Sequence, residues 1–143
     1  MPAPFGFGVG DFIAVATLIK NIRAALKDSG GARDEYQELE RELALLELAL
    51  GAIKTLTGPP HRQGEITAIK LVALSCRRTL DHFYSSVTKY DKSLSAVSIP
   101  SRARASVKMV QWNLLMQADV TKLRSYLEAH VGSLNVLIST ELL

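Results

Sequence analysis

Apolar residues recur along this chain at alternating steps of three and four. Phe12, Val15, Ile19, Ile22 and Leu26 make the first such stripe, and Tyr36, Leu39, Leu43, Leu46, Leu50 and Ile53 the second. The longest runs Ile66, Ile69, Ala73, Cys76, Leu80, Phe83, Val87, Tyr90 and Leu94, and the last Val120, Leu123, Leu127, His130, Leu134 and Leu137. Side chains three and four apart share one helix face, whereas a half-buried strand alternates apolar and polar. Four amphipathic stripes with short breaks predict an all-α fold, an antiparallel bundle of four to five helices.

The breaks fit this reading. Asp28-Ser29-Gly30-Gly31 ends the first helix, since glycine readily takes the left-handed C-terminal cap conformation. Gly58-Pro59-Pro60 stops the second, Gly64 precedes the third, and residues 95–101 with Pro100 form the next connection. Val107, Val110 and Leu114 start a stripe out of register with Val120, so residues 101–143 read as one helix or two. A kink is expected near 117–119, with Asp119 as N-cap of the final helical segment. Apolar residues also flank the stripes: Leu45, Leu48 and Ala49 on the second, Val131 and Ile138 on the last, Ile13 and Leu18 on the first. Such flanks suit helices with two neighbours. The first helix is expected either at the bundle centre or with a second face turned outward.

Length and composition narrow the class. The 143 residues are 48% hydrophobic and 22% charged, enough for one domain, 1–143, with a single core. The net charge of +3 is too small to argue for nucleic acid, which asks for concentrated Lys and Arg. Residues 32–57 are net acidic, and the basic surplus lies around Arg77, Arg78, Arg102, Arg104 and Lys108, read either as solvated helix faces and a loop or as a weak patch for anionic headgroups or an acidic partner. A lone Cys76 excludes an internal disulfide and fits a reducing, intracellular compartment. The first basic residue is Lys20, after the apolar segment, so the order of a secretory signal is inverted. Pro4 and the glycines Gly6, Gly8 and Gly10 make residues 3–19 a poor membrane span. The uninterrupted end at Leu142-Leu143 predicts a domain cut from a longer chain or an end that partners cover.

Chemistry is sparse. None of His61, His82 and His130 sits in a metal-ligand spacing, and His130 in an apolar stripe predicts a core histidine bonded to a backbone carbonyl. Cys76, also on a stripe, predicts an inert buried thiol. Gly6, Gly8 and Gly10 lack the strand before and the Gly-Lys-Ser/Thr after that a phosphate loop requires. They instead predict a flexible arm carrying Phe5 and Phe7. No catalytic residue, cofactor or metal is expected, and the chain reads as a non-enzyme.

Two stretches carry a family resemblance. Gly6-Phe7-Gly8-Val9-Gly10-Asp11-Phe12-Ile13-Ala14-Val15, continuing through Leu26-Lys27-Asp28 to Glu35-Tyr36-Gln37-Glu38-Leu39, is similar to the opening of the fungal HeLo-like N-terminal domains that head STAND (NLR-like) and related multidomain proteins. Val110-Gln111-Trp112-Asn113-Leu114-Leu115, followed by Asp119-Val120, Lys122-Leu123-Arg124, Leu127 and His130, resembles that family's C-terminal signature. The two bracket nearly the whole chain, while residues 58–105 agree in helical pattern alone. The resemblance implies an effector or adaptor domain of an innate-immunity or programmed-cell-death type protein. It would act by oligomerisation and by membrane targeting through its apolar N-terminal segment. Carried onto this sequence, the membrane- or partner-facing residues are Phe5, Phe7, Val9, Phe12, Ile13, Val15, Leu18 and Ile19. Implied partners are a second copy, downstream domains of the same chain and an anionic membrane surface, in a cytoplasmic setting with recruitment to the plasma membrane. The alternative is a protein–protein interaction or dimerisation module without membrane activity.

Overall fold

The first helix is set by its own opening residues. In the computed structural model, which describes residues 8–28, 34–95 and 101–142, the Gly8 backbone N–H donates to Asp11 Oδ2 at 2.8 Å. The Asp11 N–H donates in turn to the Gly8 carbonyl at 3.0 Å. Asp11 thus acts as the third-residue half of a capping box, satisfying a backbone donor that the helix itself cannot. Helix α1 (Val9–Asp28) comes next, then α2 (Asp34–Lys54), a 3₁₀ turn at Pro60–Arg62, α3 (Gln63–Leu74), α4 (Arg77–Ser95) and α5 (Ser101–Leu142). No strand occurs among the described residues. The fold is all-α. Gly10 lies within α1 and Gly64 within the first turn of α3, so neither is a break.

Two antiparallel hairpins, α1–α2 and α4–α5, pack side by side. Within the first, Arg23 of α1 reaches Glu40 and Glu47 of α2 at 3.4 and 3.2 Å, opposite ends of the reach of one guanidinium. Across the hairpins α1 rests on α4 and α2 on α5, which closes a four-cornered bundle, while α3 crosses one end against α2 and α5. Arg77 Nη1 of α4 lies 3.9 Å from Asp11 Oδ1, so α1 and α4 begin at that same end.

The stripes face inward as the spacing predicts. Every position of the first two stripes is buried, as are Ile66, Ile69, Ala73, Cys76, Leu80, Phe83 and Val87 of the third and Val120 to Leu134 of the last. Leu137 is partly buried against the same core. Tyr90 and Leu94 lie where side chains are not described, and so do Val107, Val110 and Leu114. Of the flanking residues, Leu18, Ala49 and Val131 are buried, Ile138 is partly so, and Ile13, Leu45 and Leu48 are exposed.

Two expectations are corrected. The third stripe is not one helix: it breaks at Ser75–Cys76 although its apolar spacing runs on unbroken. The Ser75 hydroxyl and N–H both turn back to the Val72 carbonyl, at 2.6 and 3.2 Å, and the Cys76 Sγ–H donates to the Ala73 carbonyl at 3.3 Å. Side-chain bonds of this kind compete with the helix ladder. His130 Nε2 of α5 bonds the same Ala73 carbonyl at 3.3 Å, so the break is tied across the bundle. The second correction concerns residues 101–142, which form one continuous helix without a break at 117–119. Asp119 lies in its middle and is not an N-cap.

Candidate functional site

The N-terminal residues expected to meet a membrane or partner divide by their place on α1. Phe12, Val15, Leu18 and Ile19 are buried in the core and in this packing face neither solvent nor lipid. Ile13, one step round the helix, is 55% exposed. Val9 begins the helix, and its side chain is not described. Phe5 and Phe7 lie outside the described residues. Among the described residues no helix is long and apolar enough to cross a membrane.

Ile13 rims a groove of about 160 Å³ between α1 and α2, together with Phe12, Ala16, Glu47, Gly51 and Lys54. Gly51 faces open space, and a Cβ built on it would meet no atom within 4 Å. Leu48, one turn before Gly51 on α2, is 72% exposed, and Leu45 beside it 43%.

Of the five basic candidates, the side chains of Arg77 and Arg78 are described. Arg77 is spanned by two carboxylates, Asp11 and Asp81, each at 3.9 Å. Arg78 is exposed. Arg102, Arg104 and Lys108 fall in the first turns of α5, where side chains are not described.

A second groove, about 280 Å³, lies between α4 and α5, with Phe83 and Tyr126 toward its floor and His82, Asp119 and Lys122 on its rim. The spacing of the sequence places Phe83 in a seam but gives no sign of the groove, because Asp119 and Lys122 come from a different helix. Beneath it the Tyr126 ring stacks on His130 with centroids 5.5 Å apart.

Two buried groups have shifted proton affinity. Burial pushes the Cys76 thiol up to about 12, against the opposing effect of its backbone hydrogen bond. It is therefore a protonated thiol at neutral pH and a poor nucleophile. Burial also lowers the His130 pKa from 6.5, partly offset by the bond to the Ala73 carbonyl. Neutral His130 donating from Nε2 is the form that suits its surroundings. No group of three or more His, Cys, Asp or Glu among the described residues is placed to hold a metal ion. The described surface offers shape and apolar area.

No family model matches the chain, and no curated protein or solved structure matches it either.

Proposed function

We propose that this chain is a non-enzymatic effector or adaptor domain, of the HeLo-like type found in fungal innate-immunity and programmed-cell-death proteins, and that it acts by self-association. Any action on a membrane belongs to the clustered state. The observation that carries this reading is the double use of α1: one face is core, and the neighbouring Ile13 is left outside over a groove.

Magnitudes separate resting and clustered states. Pulling Phe12, Val15, Leu18 and Ile19 out of the core would expose four apolar side chains, at about 1.5–3 kcal/mol each or roughly 6–12 kcal/mol together. That equals the whole stability of an ordinary domain, about 5–15 kcal/mol. A lone molecule therefore keeps α1 packed. A cluster differs because several arms meet one bilayer at high effective concentration, which offsets the unpacking. Membrane targeting through residues 5–19 thus depends on oligomerisation.

A second reading, an interaction module that never touches lipid, is favoured by the burial of α1's apolar face in the resting fold. Leakage from anionic vesicles separates the two. The chain is tested as monomer, fused to an oligomerising scaffold, and as the same fusion without residues 1–7, a deletion that leaves the Gly8–Asp11 cap in place. The effector reading expects leakage only from the clustered form with its arm. Clustering without leakage selects the interaction module.

A further inference from the structure

Helix α2 buries its apolar stripe in the bundle and leaves a row of small and apolar residues at the middle of its outer face. The inner stripe, Tyr36 to Ile53, is buried. On the opposite side Arg41, Ala44, Leu48, Gly51 and Thr55 succeed one another at steps of three, four, three and four, the spacing of a coiled-coil seam. Its centre is apolar and open: Leu48 is 72% exposed, and nothing stands within 4 Å of a Cβ built on Gly51.

We propose that this outer face of α2 is a homodimer interface, with α2 of a second copy lying antiparallel across it. The inference rests on the reading that the domain acts by self-association and names the surface.

A two-fold axis between residues 49 and 50 makes the seam complementary to itself. It sets Leu48 of each copy opposite Gly51 of the other, a knob into the notch that glycine leaves. Antiparallel helices also bring equivalent flanking positions face to face. On one flank are Glu47 and Lys54, seven residues apart and so at equivalent seam positions, and both line the groove beside Gly51. Across the antiparallel contact, Glu47, whose Oε2 already accepts from Arg23 of its own chain, comes toward Lys54 of the second copy and Lys54 toward its Glu47. On the other flank Leu45, 43% exposed, meets Ala52, also exposed. The Glu47–Lys54 and Leu45–Ala52 pairings are thus matched in charge and in apolarity, as a two-fold contact requires, since each residue must suit its opposite number twice. Ile13 widens the notch from the α1 side. An unrelated partner would have no reason to meet charges spaced to match their own reversal, and that self-matching identifies the occupant as a second copy.

Sedimentation velocity from micromolar to near-millimolar concentration tests this with the full 143-residue chain. The wild type is expected to pass from monomer to dimer. Leu48→Lys should leave it monomeric throughout with its thermal midpoint unchanged, because the residue is outside the core and lysine is a good helix former. Lys54→Glu should raise the dimer dissociation constant roughly tenfold by setting like charges opposite one another twice. A mixture of Leu48→Cys and Gly51→Cys chains should form disulfide dimers faster than either alone, with buried Cys76 as a silent background. A dimer indifferent to Leu48→Lys overturns this surface while leaving clustering intact. A chain that stays monomeric at every concentration overturns the dimer. If its scaffold fusion also fails to act on vesicles, the clustering reading falls with it.

Discussion

The Ala73 carbonyl shows how much one backbone atom can organise. It accepts from Cys76 Sγ and from His130 Nε2, each at 3.3 Å, and so joins the break between α3 and α4 to the C-terminal half of α5. That His130 would bond a backbone carbonyl was legible from its place in an apolar stripe. Which carbonyl was not, because the donor and acceptor lie 57 residues apart. The burial of His130 has a consequence for pH. The folded pKa of His130 is lowered by burial, so between that value and 6.5 the unfolded chain binds a proton that the native state refuses. Stability is then at its full value above about pH 6.5 and falls as the pH drops below it. Urea midpoints measured from pH 7.5 to 5.5 should decline in the wild type. His130→Gln, which keeps a side-chain donor and does not titrate, should flatten that decline. An equal slope in both chains contradicts the assignment.

At the scale of elements, periodicity located the helical faces and misplaced two boundaries. Every described position of the four stripes is buried or partly so, because a helix with one apolar face has a single way to bury it. The break at Ser75–Cys76 was hidden because Ala73, Cys76 and Leu80 keep their three–four spacing across it. Periodicity reports which face is covered, and two short helices bent at a serine can cover the same face as one. The sign available in the sequence was the Ser-Cys pair itself, two side chains able to bond the preceding turn. The opposite error concerned α5, where a change of register was read as a kink, yet one helix of 42 residues runs through it. A change of register between two apolar stripes does not require the backbone to break. Leu46 and Leu80, both fully buried and on different hairpins, test whether the two hairpins share one core. Each substitution to alanine should cost about 2–5 kcal/mol in chemical denaturation. A cost below about 0.5 kcal/mol at either position removes that residue from the core.

For the whole molecule, the packing of α1 makes that helix structural in the resting state. The sequence showed an apolar N-terminal segment and a resemblance in which that segment acts on membranes. It did not show which of its residues the bundle claims, because Leu18 off the stripe is buried while Ile13, equally off it, is exposed. The difference comes from where α2 and α4 pack on α1, a three-dimensional fact that no spacing encodes. The outer seam of α2 is the reverse case. Its spacing was present in the sequence, and its significance emerges only once the inner stripe is seen to be the one facing the core. Hydrogen exchange resolved along α1 distinguishes a packed helix from a released one without any assumption about partners. In the free monomer the amides from Phe12 to Ile22 should be as protected as those of α2. On anionic vesicles the scaffold-clustered form should lose that protection in α1 ahead of α2. Rapid exchange of α1 in the free monomer, or vesicle leakage with α1 still protected, would show that the helix is not the element held in the resting fold and released on clustering.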